Sequence, residues 1–421
     1  MERINEVAQF EKSALFVAMV LIVSYMAELY NFDKVLRKRE LFLKTFFIFI
    51  ICFILISCVY YMVPATILGR GILVLSLLFF MVLQWMLHVG FRASMKYRGL
   101  ASKVLVLGTG NLARLIGSIV DGPNHNHVLA GYVSCATEPL LVPAGTILGD
   151  ENGLIATAIK ERANKIVVSL SERRGAFPLK DLLTCKFRGI DVVDAPSFYE
   201  HVTGKLLIEH ITPSWFIYSN GFRISPATRT LKRTADILLS TVGLLLLSPL
   251  LPIIAVLIKL TSRGPVFFRQ ERVGEREKLF TLYKFRTMGN DAEKGTGAVW
   301  ATENDPRVTP IGGFLRKSRL DEIPQLFNVL KGEMSMIGPR PERPEFVEKL
   351  KEIIPYYSKR HFVKPGVTGW AQIRYPYGAS VEDAIEKLRF DLYYMKNISL
   401  SLELMIVFET IKVILFGRGS R

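Results

Sequence analysis

Three long apolar stretches open the chain, at about 13–29, 41–63 and 72–91. Each is near the ~20 residues that an α-helix needs to cross the hydrocarbon core of a bilayer, the first being the shortest. From 103 to 211 the pattern changes. Strand-like runs such as Lys103–Gly108 and Lys165–Leu170 alternate with helix-like runs such as Leu112–Val120 and the amphipathic Leu179–Phe187. That alternation predicts a parallel sheet with helices on its faces. A further apolar run, 236–258, is long enough to span, but Ser248-Pro249 and Pro252 interrupt it near the middle. Proline removes a backbone donor and clashes with the preceding turn, so a straight helix is disfavoured there. Near the end, 398–416 mixes an apolar majority with Glu403, Glu409 and Lys412. It fits either a partly immersed interfacial helix or a buried core helix.

With 421 residues the chain has room for two or three separate cores. Half of it is hydrophobic, yet Lys and Arg exceed Asp and Glu by 54 to 38. Membrane helices carrying a cationic surface towards anionic lipid account for that pairing. Nucleic acid is not implied as a partner, since no Cys/His finger spacing, basic helix or aromatic RNA-binding strand motif occurs. Lys34, Arg37, Lys38 and Arg39 follow the first stretch, and Arg92, Lys96, Arg98 and Lys103 follow the third, whereas 64–71 carries only Arg70. The positive-inside rule puts both basic segments in the cytoplasm and the N-terminus outside. Arg229, Lys232 and Arg233 precede the 236–258 run, and Lys259 and Arg263 follow it. Both ends therefore read as cytoplasmic, and the run as a re-entrant helical hairpin that enters and returns rather than a kinked spanning helix.

Cys52 and Cys58 fall in an apolar span and Cys135 and Cys185 in the α/β region, with no CxxC pair, so they read as reduced structural thiols. His125 and His127 have no third ligand nearby and read as loop residues. The turn Gly108-Thr109-Gly110-Asn111-Leu112-Ala113 is a GxGxxA variant of the dinucleotide fingerprint. The acidic residue that would hold a ribose about twenty positions later is missing, because the strand end reads Tyr132-Val133-Ser134-Cys135. Gly108, Gly110 and Ala113 are therefore taken as the turn of a structural or regulatory Rossmann-like domain rather than a working cofactor site.

The last 160 or so residues hold a dense set of polar motifs. They are Lys284-Phe285-Arg286-Thr287-Met288, Asp305-Pro306-Arg307-Val308-Thr309, Arg319-Leu320-Asp321-Glu322-Ile323-Pro324-Gln325-Leu326, Gly338-Pro339-Arg340-Pro341 and Lys364-Pro365-Gly366-Val367-Thr368-Gly369-Trp370-Ala371-Gln372. Asp321 or Glu322 is expected to start a helix over Glu322–Leu330, with Pro324 in its first turn and Leu326, Phe327 and Leu330 on its apolar face. A carboxylate there meets the positive end of the helix dipole, as would an arriving phosphate. Ionised Asp321 is then a usable nucleophile at neutral pH. Arg316, Lys317, Arg319 and Arg340 supply cations around it, and guanidinium forks suit a diphosphate.

Taken together, these motifs resemble the monotopic phosphoglycosyl transferases, the bacterial sugar transferase family, over residues 226–421. The upstream segments match the longer members that initiate exopolysaccharide or capsule synthesis, which usually carry four N-terminal spans rather than three. Gly338–Phe346 with Tyr375–Ser380 is most similar to the exosortase-associated subgroup. The resemblance implies a membrane protein of three parts: transmembrane helices in 1–92, a Rossmann-like α/β domain over 103–211, and a mainly helical monotopic catalytic domain over 226–421. The last contains the re-entrant helix-break-helix at Ser248-Pro249.

The resemblance also implies that Asp321 attacks the sugar-bearing phosphorus of a UDP-sugar and expels UMP. Undecaprenyl phosphate then takes the hexose 1-phosphate from the aspartyl-phosphosugar. Glu322 helps Asp321 to organise Mg²⁺, which neutralises the diphosphate. Lys284, Arg286, Arg316, Arg319 and Arg340 are the candidate phosphate contacts. Pro339 and Pro341 fix the loop that aims Arg340, and Gly366 and Gly369 permit tight backbone around Val367-Thr368. Trp370 fits either stacking on uracil or core packing. The expected setting is the cytoplasmic face of the bacterial inner membrane, among membrane lipid, with a homodimer open and the sugar undetermined.

Two rivals fit less well. A nucleotide-sugar epimerase or dehydratase needs a Tyr-x-x-x-Lys pair, and the only such spacing is Tyr30 to Lys34, beside a membrane span. A non-catalytic assembly scaffold has no need of the intact Asp321-Glu322 and Gly338–Pro341 motifs. Ten-span transferases are excluded by the number of spans.

Overall fold

A computed structural model describes residues 2–27, 29, 38–64, 69–95, 102–122, 127–136, 138–170, 177–211, 213–289, 305–375, 378 and 380–416. Tyr30, Lys34, Arg37, Lys96, Arg98, His125, Pro376, Tyr377 and Ala379 lie outside the described residues. The chain forms two compact units, Met1–Thr203 and Gly204–Arg421.

The first unit begins with helices α1 (Glu2–Met26), α2 (Lys38–Met62) and α3 (Arg70–Met95). Leu41–Met62 and Gly71–Gly90 are long and apolar enough to cross a membrane, whereas α1 contributes a shorter apolar segment, Lys12–Tyr25. Val20, Ile48, Cys52, Ile56, Leu73 and Leu77 pack between the helices, while Leu21, Phe53, Leu75 and Phe79 face outward. Polar contacts lie inside the bundle: Gln84 Nε2 donates to Ser24 Oγ at 3.0 Å, and His88 Nε2 lies 2.7 Å from the Leu29 carbonyl.

The α/β part follows as β1 (Ser102–Leu107), α4 (Asn111–Val120), β2 (His127–Ser134), β3 (Ile147–Asp150), α5 (Leu154–Lys160), β4 (Lys165–Val168), α6 (Leu179–Phe187), β5 (Asp191–Asp194) and α7 (Ala195–Thr203). Its five strands are parallel in the order β3-β2-β1-β4-β5. Leu105, Leu107, Val133, Leu154, Ile166 and Cys185 form the core on one face, as expected of strands covered by helices. His127 is the first residue of β2, its ring 5.4 Å from that of Phe198, so it is part of the sheet and not of the preceding loop. All four cysteines are free thiols, and burial pushes Cys135 up to about 12.

The unit ends at Thr203 rather than at 211. Leu206, Ile208 and Ile211 are buried in the core of the second unit, with Val347, Leu388 and Ile406. Hydrophobic continuity therefore assigns 204–211 to the C-terminal side. That unit contains α8 (Pro213–Tyr218), α9 (Pro226–Leu247), α10 (Leu250–Thr261), the antiparallel hairpin β6 (Phe267–Val273) and β7 (Leu279–Phe285), α11 (Pro310–Lys317), α12 (Gln325–Lys331), β8 (Ser335–Ile337), α13 (Pro344–Ile353), β9 (Gly366–Thr368), α14 (Trp370–Arg374), α15 (Val381–Lys396) and α16 (Leu400–Phe416).

Ser225 caps α9 by accepting from the Thr228 N–H, with Pro226 at the first helical position. The chain then bends by 63° between α9 and α10. The break lies at Ser248-Pro249 alone: Pro252 is the third residue of α10, a first-turn position whose N–H has no intrahelical partner to lose. Ile254 and Ile258 are buried, while Leu238, Leu245, Leu246, Ile253, Val256 and Leu260 stay exposed, leaving an apolar outer face on the bent pair. Lys232 and Arg233, expected as flanking cations, are engaged within the fold. Lys232 donates to the Ile337 carbonyl and pairs with Glu403, and Arg233 donates to the carbonyls of Val329 and Leu330 at the end of α12.

Candidate functional site

Asp321 and Glu322 lie in the 3₁₀ turn Leu320–Glu322, one turn ahead of α12. The expected helix from Glu322 does not form. Pro324 becomes the residue before α12 instead of lying within it, and the three-residue shift takes the dyad out of the first α-helical turn. The apolar face differs too: Leu326 and Val329 are buried, but Phe327 is exposed. The turn is entered through Arg319 at φ 58°, a left-handed conformation that is costly for a non-glycine residue and recurs at functional sites. Ile323 and Leu326, directly after the dyad, pack with Ile254 and Ile258 of α10, Phe285 of β7 and Leu315 of α11. The bent apolar pair thus forms the floor on which the two carboxylates sit.

Cations converge on one oxygen. Lys284 Nζ lies 2.9 Å, Arg340 Nη2 3.2 Å and Arg319 Nη1 3.9 Å from Glu322 Oε1. Burial alone would raise the Glu322 carboxyl, but Lys284, Arg340 and Arg319 overturn it and hold it well below the usual carboxylate range. Asp321 shifts the other way. Burial raises it, the neighbouring Glu322 charge adds to the rise, and Lys284, Arg340 and Arg316 offset only part of it. Adjacent carboxylates pushed in opposite directions are a signature of divided chemical roles. Burial also lowers the Lys284 ammonium, against the pull of Glu322.

The other expected phosphate contacts are placed differently. Arg286 is 5% exposed and donates Nη2 to the Ser262 carbonyl and hydroxyl, both at 2.8 Å, tying β7 to the end of α10. Its Nε and Nη1 are buried with no protein partner among the described residues. Arg316 donates to Thr287 Oγ1 at 3.0 Å while still pulling Asp321 towards its charged form. Asp305 is held down to about 2 by hydrogen bonds from Arg307, closing the Asp305-Pro306-Arg307 turn upon itself.

Pro339 and Pro341 are buried, and Arg340 reaches from between them to Glu322 and, at 3.2 Å, to Gln372 Oε1. The Gly338 N–H donates to the Thr368 carbonyl and the Gly366 N–H to the Pro339 carbonyl, extending the parallel β8–β9 pair into the loop. A Cβ on Gly366 would stand 2.1 Å from the Gly338 nitrogen, and one on Gly369 2.1 Å from the Gly338 oxygen, so close approach of two backbones requires these glycines. Trp370 is a core residue: 1% exposed, stacked on Tyr393 at 5.9 Å, its indole N–H donating to the Gly204 carbonyl at 2.7 Å.

Four residues absent from the sequence motifs matter here. Asp236 on α9 is buried and accepts from Ser335 Oγ at 3.0 Å and the Met336 N–H at 2.8 Å, joining the bent pair to the strand that leads into the Arg340 loop. Its only sequence signal is a lone acid at the start of an apolar run. Glu403, besides Lys232, accepts from Tyr394 Oη. Arg360 and Asp391 are buried behind the loop and form an ion pair at 2.8 Å. Helix α16 buries Leu402, Met405 and Ile406 but exposes Leu400, Leu404 and Ile411, so it has one core face and one apolar outer face.

In the first unit, the N–H groups of Thr109 and Gly110 both donate to Glu138 Oε2, at 3.1 and 3.2 Å. The donors that a dinucleotide phosphate uses at such a turn are thus engaged by the chain's own carboxylate. Among the described residues no group of three or more His, Cys, Asp or Glu is arranged to hold a metal ion.

Comparison with known proteins adds three relatives. A stretch of 240 residues, 57% of this chain and 56% of the relative, is 45% identical to the UDP-N-acetylgalactosamine-undecaprenyl-phosphate N-acetylgalactosaminephosphotransferase of Aeromonas hydrophila. The undecaprenyl-phosphate glucose phosphotransferase of Komagataeibacter xylinus is 34% identical over 337 residues, 77% of this chain and 61% of the relative. The exopolysaccharide production protein PSS of Rhizobium leguminosarum bv. phaseoli is 42% identical over 186 residues, 43% of this chain and 93% of that protein. The chain thus spans somewhat more than half the length of the first two and nearly all of the third. A family profile described as bacterial sugar transferase matches residues 227–417, which hold the dyad, its cations and the bent apolar pair beneath them. This chain belongs to the bacterial sugar transferase family.

Proposed function

We propose that the protein transfers hexose 1-phosphate from a UDP-sugar to undecaprenyl phosphate, releasing UMP and starting an exopolysaccharide or capsule repeat unit. The observation that carries this reading is the convergence of Lys284, Arg340 and Arg319 on Glu322 Oε1 directly beside the buried Asp321. Glu322 holds the cations in place, and Asp321 is left as the nucleophile. A carboxylate raised by burial is more basic, and the adjacent cations still draw it to the charged form that attacks. An Asp321 oxygen bonds to the sugar-bearing phosphorus as the bond to the bridging oxygen breaks, and UMP leaves with that electron pair. The phosphate oxygen of undecaprenyl phosphate then attacks the same phosphorus and frees Asp321. Lys284 and Arg340 are placed to balance charge on the transferring group.

Mg²⁺ fits this donor set, since it is commonly held by one or two carboxylates and completes its shell with water and phosphate oxygens. Asp321 and Glu322 would hold it, and it supplies neutralisation of the diphosphate. The relatives named for undecaprenyl-phosphate sugar transfer support the lipid acceptor and the nucleotide-sugar donor.

The apolar outer face of the 63° bend supports a re-entrant hairpin, which keeps the site on the cytoplasmic side of the inner membrane with UDP-sugars. The order β3-β2-β1-β4-β5 supports a Rossmann-like assignment for the sheet, and the Glu138 carboxylate at its glycine turn supports a structural rather than a cofactor-binding role. Purified protein with a panel of UDP-sugars, Mg²⁺ and undecaprenyl phosphate is expected to release UMP with at least one sugar; no release with any of them refutes the transferase reading.

A further inference from the structure

The loop that presents Arg340 is gripped from behind by a group outside the sequence motifs. Arg360 lies in the turn Tyr357–Phe362 and is 5% exposed. Its Nη2 donates to the backbone carbonyl of Arg340 at 3.0 Å and lies 2.8 Å from Asp391 Oδ2; its Nε reaches the same Asp391 oxygen at 3.1 Å. Its Nη1 donates to Tyr357 Oη at 2.8 Å, and its guanidinium lies over the Tyr357 ring. Asp391, on α15, is buried among Leu388, Leu392 and Tyr394. We propose that Arg360, aimed by Asp391 and Tyr357, is a positioning residue that fixes the Arg340 backbone so that its guanidinium reaches Glu322 and the transferring phosphate.

Two observations favour positioning over mere support. A buried ion pair contributes little net stability compared with apolar packing, because both charges lose their hydration. The use left to it is direction: a rigid planar fork whose remaining N–H points at one carbonyl. In addition, a water-sized cavity lined by Pro339, Arg340, Pro341, Arg360, His361 and Val363 adjoins the loop, so packing alone leaves Arg340 room to shift. What Arg340 does for the substrate rests on the proposed transferase reading; the hold on its backbone does not.

The test uses the full chain in lipid nanodiscs. Arg360→Lys keeps the charge but loses the fork, and is expected to lower kcat/KM for UMP release by about 10- to 100-fold, the scale on which small misplacements act. In an Arg340→Ala background the same substitution should change nothing further, since its effect passes through Arg340. Factors that multiply in the double variant, or an unaltered kcat/KM, overturn the proposal. Tyr357→Phe keeps the ion pair and should give a smaller loss in the same direction. The double variant Arg360→Gln with Asp391→Asn leaves no lone buried charge and covers the case in which a single change fails to fold. Amide hydrogen exchange at Arg340 and Glu342 should quicken in Arg360→Lys with the melting temperature unchanged. If the native protein releases no UMP, the transferase reading fails, while unchanged exchange overturns the positioning role independently.

Discussion

Replacing the two neighbouring carboxylates one at a time should separate stability from activity. Glu322 is 9% exposed and is the shared partner of Lys284, Arg340 and Arg319. Glu322→Gln keeps the shape but strands these cations. Breaking one side of a buried pair costs roughly 3–5 kcal/mol; with Arg340 partly open to solvent, about 3 kcal/mol is expected. For a unit of this size that lowers the melting temperature by ~6–12 °C. Asp321, 7% exposed, has its charged form disfavoured by burial. Asp321→Asn removes that penalty and should leave the melting temperature unchanged or slightly raised at pH 7, while UMP release disappears because an amide cannot form the acyl phosphate.

The pH dependence carries the same opposition. The Glu322 carboxyl is depressed, so the folded state binds fewer protons than the unfolded chain, and its stabilisation is full above the ordinary carboxylate range and lost as pH falls below it. The Asp321 carboxyl is raised, so its contribution falls as pH rises from the ordinary value through the raised one. Thermal melting from pH 3 to 8 for the native protein and both variants, beside UMP release at pH 7, reads all of this. Equal destabilisation by the two substitutions, or turnover by a folded Asp321→Asn, would refute the division of roles.

Asp236→Leu leaves the Met336 N–H and Ser335 hydroxyl without their acceptor, and should cost about 2–3 kcal/mol by denaturant melting, whereas Asp236→Asn should cost less. Replacing Ser248 and Pro249 with leucine should straighten the bend and reduce UMP release; cysteine probes at Thr230 and Ser262, in a background stripped of native cysteines, should shift from labelling on one face to labelling on opposite faces. Chelation by EDTA should stop UMP release and added Mg²⁺ should restore it, and activity surviving thorough chelation removes the metal from the mechanism.

The elements were legible wherever their causes are local. Ser248-Pro249 marks the break between α9 and α10 at the residues where the chain bends. The continuous apolar runs of β1 and β4 and the amphipathic α6 report their own burial in the same way. The polar motifs likewise named residues that the fold brings together, Glu322 with Lys284, Arg319 and Arg340.

Composition and spacing could not say which cations reach the dyad. Lys284 and Arg340 arrive from a strand and a loop far apart in the chain, while Arg286 is turned to Ser262, Arg316 to Thr287, and Lys232 to Glu403. Arg360 and Asp391 stand in no motif that points at the loop they hold, and Trp370 became core only because Gly204 and Tyr393 close over it. A one-dimensional pattern records which face of an element is apolar. The partner of a buried charge is chosen by which elements pack beside it, and so is the direction of its pKa, because both depend on desolvation and on distances across the fold.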